Sequence, residues 1–332
     1  MLASQLHVVS VFSNNRQWQS RIRLLREYIP QMLQAGVTLT LVEHTIGERD
    51  FALNPDDPIL RHVRLFQLRG DARHENWMKE GLVAYGVRML PEDAKYIAVI
   101  DADVFFQRPD WPLATLDMLQ VHRVGQPWSY SIDLGPDQNP VPNEWGSTVD
   151  RSFCAAWLAG DVNVPTPDYS GQMTYGWGLD PNRKKDTRAH CGYAWAYRLD
   201  VWNDIGGLPT WMVSGKADYV SAMAFAGKIP ITQLQETGGG ARRLKRYAEL
   251  CDEFVKQDIG VVGGMLMHGF HGSKRKRYYL TREDILRESQ FDPDIDLGVD
   301  RHGLPFIVSD NRKLRDGLRR LSTVRDEDAN VV

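Results

Sequence analysis

The chain has 332 residues, 42% of them hydrophobic, and a formal net charge of −3, enough to bury an enzyme-sized core and too near neutral to pull the whole molecule onto nucleic acid or a membrane. Cys154, Cys191 and Cys251 are widely separated with no C-x-x-C spacing, which indicates neither a disulfide framework nor a zinc knuckle and makes a reducing, cytoplasmic setting the expectation. No apolar run approaches the ~20 residues of a membrane helix and residues 1–15 lack a basic stretch ahead of a long apolar one, so a soluble, unsecreted protein is expected.

The first hundred residues alternate strand and helix signals. Leu6 to Phe12 predicts a short strand ending in the polar turn Ser13-Asn14-Asn15-Arg16. Ile22, Leu25, Ile29 and Leu33 recur at helical spacing through Trp18 to Leu33, and Gly36 follows as a stop. Val37 to Glu43 and Val63 to Leu68 predict two more strands, and Glu75 to Leu90 a helix that closes at Pro91. Next comes Tyr96 to Ile100, apolar throughout, as a central strand covered on both faces requires. This order predicts an α/β fold with a mostly parallel sheet that binds a nucleotide at its strand ends.

The last of these strands delivers two aspartates. Asp101 and Asp103 are separated by one residue, so on extended backbone they point to the same side with Cα atoms roughly 6 to 7 Å apart. Two carboxylates that close repel each other unless a cation sits between them, and a divalent ion carrying a diphosphate is one answer. A helix cap beside a solvated loop residue is the other.

Beyond Gln107 the character changes. Asp133 to Asn182 is rich in Pro, Gly, Asn, Trp and Tyr and predicts a long irregular segment, either a lid or an ordered surface wrap. Regular patterns resume at Ala189 to Arg198, at Asp218 to Ala226, and, after a flexible Gly238-Gly239-Gly240, at Arg242 to Lys256. Ile259 to Met267 predicts one further buried strand, ending at His268-Gly-Phe-His271-Gly272. A basic, aromatic run from Lys274 to Tyr279 follows, and residues 309–332 predict a peripheral helix with a disordered end. Either His268 or His271 could complete a site begun by Asp101 and Asp103, and a mixed carboxylate and imidazole set favours Mn²⁺ over Ca²⁺. The four cations Lys274 to Arg277 would suit phosphate, or serve as a solvated face.

Taken in order, these blocks resemble the nucleotide-sugar glycosyltransferases of the GT-A fold, in particular a bacterial and phage-borne branch related to family-2 enzymes. The residues that carry the resemblance are Trp77-Met-Lys79-Glu80, Leu90-Pro91, Ile100-Asp101-Ala-Asp103 with Phe106, Pro109 and Trp111, then Gln126-Pro127, His190-Cys-Gly192-Tyr-Ala-Trp195, Gly215 to Asp218, His271-Gly272 with Arg277 and Tyr279, and Phe291-Asp-Pro293. They span roughly residues 5 to 305. The resemblance implies one domain over 1–308, with a nucleotide-binding half (1–107) and a half that completes the acceptor and metal sites (108–308). It implies a nucleoside-diphosphate sugar donor, a UDP-sugar foremost, with Mn²⁺ or Mg²⁺ held by Asp101, Asp103 and His271. Asn14, Asn15, Arg16 and Glu43 would lie near the nucleoside, Lys79, Arg277 and Tyr279 near the phosphates, and His190, Gly192 and Trp195 near the acceptor. Asp218 falls where family-2 enzymes place the general base, giving inversion, and as the first residue of an apolar helix it could equally be a cap. Lys216-Ala217 stand where the branch has Gly-Gly, and His190-Cys191-Gly192 where it has His-Pro-Gly.

For the acceptor, the basic clusters Arg183-Lys-Lys185, Arg242-Arg243, Lys245-Arg246 and Lys274 to Arg277, with Tyr175, Trp177, Tyr278 and Tyr279, permit a polyanion whose base is extruded and stacked. Phage-encoded relatives include enzymes that glycosylate hydroxymethylated pyrimidines in DNA, so the resemblance makes modified DNA in a host cytoplasm the leading expectation. A surface glycan or a protein side chain is the alternative, and an inactive nucleic-acid-binding protein on the same fold is a third.

Overall fold

A computed structural model describes residues 1–142, 146–161, 189–228, 237–273, 277 and 282–329. The first part of the chain forms β1 (Leu6–Ser13), α1 (Gln19–Gln34), β2 (Thr38–Ile46), β3 (Arg64–Gly70), α2 (Lys79–Arg88), β4 (Tyr96–Ile100), β5 (Val104–Phe106), α3 (Trp111–Val121), β6 (Val124–Gln126), β7 (Tyr130–Asp133), β8 (Asp150–Arg151) and α4 (Phe153–Leu158). The remainder supplies β9 (Ala194–Arg198), α5 (Leu199–Ile205), α6 (Ala217–Phe225), α7 (Gly238–Phe254), β10 (Ile259–Val261), β11 (Met265–His268), α8 (Asp284–Glu288), α9 (Pro293–Asp296), β12 (Leu297–Val299), β13 (Pro305–Ile307) and α10 (Arg312–Thr323).

Seven strands form the central sheet in the order β10-β6-β9-β4-β1-β2-β3. Every neighbouring pair is parallel except those made by β9, which runs against β4 and β6. The apolar runs explain the two-sided burial, because alternate residues of one strand enter opposite cores. Val8, Ala98 and Ile100 pack with Leu25, Tyr28 and Ile29 of α1 and Leu116 and Leu119 of α3. Val9, Ile97 and Val99 face Val83 and Val87 of α2, with Val201, Ala222 and Leu244 of α5, α6 and α7 in the same cluster. The architecture is the anticipated α/β one, a mostly parallel sheet between helical layers.

A second sheet, ordered β5-β11-β7-β8, stands beyond the carboxyl end of β4. Its register sets His268 opposite Asp133 on one side and Val104, next to Asp103, on the other.

Three local expectations change. The apolar run 259–267 is two strands in two different sheets, divided at Gly263-Gly264, where Gly264 takes φ +155. Gly238-Gly239-Gly240 is the first turn of α7, capped by Thr237, whose hydroxyl accepts from the Gly240 amide. A Cβ on Gly239 would stand 1.9 Å from Asp292 Oδ1, so close packing selects glycine here. Within the stretch expected to be irregular, Phe153–Leu158 is helical, with Ser152 as its cap. The rest of that expectation over 162–182, with Tyr175, Trp177, Arg183 to Lys185 and, further on, Lys274 to Lys276, Tyr278 and Tyr279, lies outside the described residues.

Candidate functional site

The carboxyl ends of β1, β2 and β4 and the tips of β7 and β11 meet at one edge, and the two aspartates that leave β4 part company there. Asp101 ion-pairs with Lys79, the first residue of α2. Burial alone would depress the Lys79 ammonium, but Asp101, Glu80 and Asp218 outweigh it and hold it above its ordinary value. Burial raises the Asp101 carboxyl and Asp103 adds to the effect, against the pull of Lys79. Glu80, behind Lys79, accepts from the Trp77 indole at 3.3 Å and is pushed up to about 7, chiefly by burial.

Asp103 turns the other way. Its Oδ2 lies 3.1 Å from His271 Nε2 and 3.9 Å from His268 Nε2, and the two Nε2 atoms are 3.3 Å apart. Burial would raise the Asp103 carboxyl, but the two imidazoles and Arg21 bring it far below the usual range. Asp103, His268 and His271 are the set among the described residues whose ligand atoms converge as a metal site needs, all within 4.8 Å of one another.

Each histidine is fixed from behind. His268 Nδ1 meets Asp133 Oδ1 at 2.8 Å, and His271 Nδ1 meets Glu327 Oε2 at 3.1 Å. A carboxylate on Nδ1 favours the tautomer that keeps the Nε2 lone pair for a cation, the outer-shell arrangement of histidines that bind metals, while on His271 the Asp103 carboxylate also stands against Nε2. Burial further lowers the His268 pKa, which favours the neutral ring. Tyr193 completes the support: its hydroxyl donates to Asp133 at 2.9 Å, its ring stacks on His268 and His190, and its carbonyl accepts from the Asp101 amide. It does so at φ +71, a conformation that a bulky residue adopts only when its surroundings enforce it. Gly269 allows the close approach, since its amide donates to the Asp103 carbonyl and a Cβ there would strike Leu24 at 2.3 Å.

A cleft of about 180 Å³ opens beside the ends of β1 and β2, lined by Asn14, Gln17, Glu43, Thr45, Asp50 and Phe51 among others. Glu43 is 2% exposed and its oxygens are taken by the Ala52 amide at 2.5 Å, the Leu53 amide and the Gln67 side chain at 2.9 Å. It therefore holds the wall of the cleft. Asn14 bridges both backbone groups of Trp18 and so shapes the turn into α1. Asn15 donates to Ser13, and Arg16 joins Glu75 and Ser322 of α10. Gln17, Thr45, Asp50 and Phe51 carry no motif that marks them in the sequence.

On the far side of Lys79 lies Asp218, in the first turn of α6. The preceding Lys216 takes φ +73 and ion-pairs with Glu283. A Cβ on Gly192 would come within 3.1 Å of Asp218 Oδ2 and 2.9 Å of His190, so the glycine lets the 190–193 turn approach the carboxylate. His190 Nδ1 accepts from the Gly192 amide. Trp195 is 5% exposed, packed edge-on to Phe225, with its indole on the Cys191 carbonyl, so it supports that turn from within the core. Arg277 is buried against the His271 ring, its Nη2 3.1 Å from Nε2.

No family model and no curated protein matches the chain. Among solved structures it is similar to the catalytic domain of Drosophila β1,4-galactosyltransferase 7 in complex with xylobiose, at 10% identity over 93% of this chain and 96% of that one, with a TM-score of 0.36. It is also similar to residues 1–349 of S. aureus TarS in complex with UDP-GlcNAc, at 9% identity over 66% and 52% of the two chains and a TM-score of 0.35. A third is 4-diphosphocytidyl-2C-methyl-D-erythritol synthase from Anaerococcus prevotii, at 11% identity over 79% and 90%, TM-score 0.33. The chain spans about half the length of the TarS chains it matches. At these values no residue role is transferred. Among the described residues no helix is long and apolar enough to cross a membrane.

Proposed function

We propose that this chain is a cation-dependent glycosyltransferase on a GT-A fold, moving a sugar from a nucleoside-diphosphate donor, a UDP-sugar foremost, to an acceptor hydroxyl with inversion. One observation carries the reading: Asp103, His268 and His271 converge at the carboxyl edge of a parallel sheet, with both imidazoles already fixed through Nδ1. Two imidazoles and a carboxylate fit Mn²⁺ better than Mg²⁺ or Ca²⁺. A bound cation would supply charge neutralisation to the departing diphosphate.

The chain's own residues do the rest. The cleft walled by Glu43, Thr45 and Phe51 takes the nucleoside. Lys79, held charged by its three acidic neighbours, and Arg277 stabilise negative charge that grows on the leaving phosphate. Asp101 orients Lys79 and can accept from a ribose hydroxyl of the donor. Asp218, brought up against the 190–192 turn, takes the proton of the attacking hydroxyl on the opposite side of the sugar.

The acceptor reading is a 5-hydroxymethylated pyrimidine in DNA, supported by the family resemblance and the basic, aromatic runs of the sequence. The test is a screen of nucleotide sugars with Mn²⁺ or Mg²⁺ against ordinary and 5-hydroxymethylated DNA, read by intact mass. The expected result is one added sugar per modified base, with no gain on ordinary DNA or in chelator. Turnover on a glycan with none on DNA would remove the acceptor assignment, and no turnover of any donor with any cation would remove the enzyme.

A further inference from the structure

Residues 325–328 look like a solvated tail by composition, yet they are seated inside the site. Glu327 is 2% exposed. Its carbonyl accepts from Ser20 Oγ at 2.6 Å, and the next residue, Asp328, accepts from the amides of Gln19 and Ser20 at 3.0 and 2.8 Å. Those amides begin α1, whose N-cap, Trp18, offers no side-chain acceptor. The tail therefore caps that helix and is anchored by it. On its other side it lies against Gly272, where φ is +82 and a Cβ would stand 2.3 Å from the Asp326 carbonyl. Arg325 reaches over the Trp77 ring at 5.3 Å.

This seating delivers one carboxylate to one ring nitrogen. Glu327 Oε2 is 3.1 Å from His271 Nδ1, with Arg21 at 3.5 Å on the same oxygen and Arg325 at 3.3 Å on Oε1. Arg21, His271 and Arg325 together compensate the buried charge of Glu327. The Arg277 guanidinium beside the same ring can only donate. Among the described residues Glu327 is the acceptor at Nδ1, as Asp133 is for His268.

We propose that Glu327 is a positioning residue for the cation site: residues 325–328 fold back so that Glu327 accepts a hydrogen bond from His271 Nδ1–H and so presents Nε2 to the cation that Asp103 and His268 share. The proposal rests on the reading of those three residues as cation ligands. The site is then completed by residues 325–328.

The test uses the full chain as Glu327→Ala and Glu327→Gln, with Mn²⁺ binding followed by calorimetry and by the EPR signal of free Mn²⁺. The His271 tautomer is read in the metal-free protein by ¹⁵N NMR. Glu327→Ala should weaken Mn²⁺ by about 10 to 100-fold and mix the His271 tautomers. Glu327→Gln, whose carbonyl can still accept, should lose less, and it carries the test if the alanine variant fails to fold. Wild-type Mn²⁺ affinity and an unchanged tautomer in both variants, with only thermal stability altered, would overturn the positioning role while leaving the cation site intact. Wild-type protein that takes up no Mn²⁺ would overturn both.

Discussion

Asp101 and Asp103, two residues apart at the end of one strand, are committed to different partners: Asp101 to Lys79 on α2, Asp103 to His271 beyond β11. Backbone alternation places both carboxylates at one edge, but the second sheet brings imidazoles to only one of them. The pair is therefore divided between an ammonium and an imidazole, which the proposed function reads as a phosphate side and a cation side. Asp103→Asn should weaken Mn²⁺ by more than the ~10 to 100-fold that loss of an outer partner costs, and abolish transfer with it. Asp101→Asn should keep Mn²⁺ affinity within a few-fold while donor turnover drops. Calorimetric titration of both variants decides it; equal loss of Mn²⁺ would restore a shared-ligand arrangement.

Lys79 provides an independent check on that division. Its removal as Lys79→Met takes a positive charge from beside Asp101 without touching the imidazoles, so Mn²⁺ should bind as well as before or better. Turnover should nevertheless fall by ~10² to 10³-fold, the scale of losing one preorganised charge on a developing anion. A variant that loses Mn²⁺ in parallel with kcat would show that Lys79 acts by holding the site together.

Asp218 is argued to remove a proton; it is not the helix cap that its place in the sequence suggests, since Lys216 holds that position, and Asp218→Asn separates the base role from a merely structural one. As a base, its loss should lower kcat by ~10² to 10⁴-fold with donor affinity unchanged. As a charge in the first turn of α6 and nothing more, its loss should cost ~0.3 to 1 kcal/mol of stability and little activity. Steady-state kinetics beside a denaturant titration distinguish the two; full activity in Asp218→Asn would return the base to another residue.

The central sheet was legible because its strands are short, apolar and punctuated by turn residues, and periodicity reads such segments well. What failed was local signal under tertiary control. Three glycines in a row look like a linker, yet Asp292 presses on α7 so closely that only glycine fits. The proposed cation site was half legible, since Asp103 follows the apolar run of β4 and His271 follows that of β11 beside Gly272. Asp133, Tyr193 and Glu327 were not, because hydrogen bonds that join residues 56 to 135 positions apart leave no pattern in a sequence. Trp195 shows the opposite error: a motif residue whose side chain the core has absorbed.

The cleft beside β1 and β2 yields a prediction that no motif supplied. Phe51 lines it, with Arg69 4.9 Å from its ring centre. An aromatic ring at this edge offers a stacking surface worth ~1 to 3 kcal/mol per base. Phe51→Ala should therefore raise the Kd for UDP by about 10-fold or more and leave kcat at saturating donor nearly unchanged. Unaltered UDP binding, measured by calorimetry with Mn²⁺ present, would move the base elsewhere along the edge.

His44 gives the fold a pH dependence separate from catalysis. It is 1% exposed on β2, neither ring nitrogen has a hydrogen-bond partner among the described residues, and burial, reinforced by nearby His74, lowers its pKa to about 4. A folded-state value below the ordinary 6.5 means that the native state resists the proton which the unfolded chain accepts. Its contribution is thus fully present above pH 6.5 and is lost as the pH falls toward 4, by at most about 3 kcal/mol. His44→Leu removes the titrating group. Urea unfolding of both proteins in chelator at pH 7.5 and pH 4.5 should show the wild type losing its lead, or increasing its deficit, by roughly 1 to 3 kcal/mol relative to the variant. Parallel pH profiles would mean that His44 is protonated alike in the folded and unfolded chain, and the acid sensitivity would then lie with other groups.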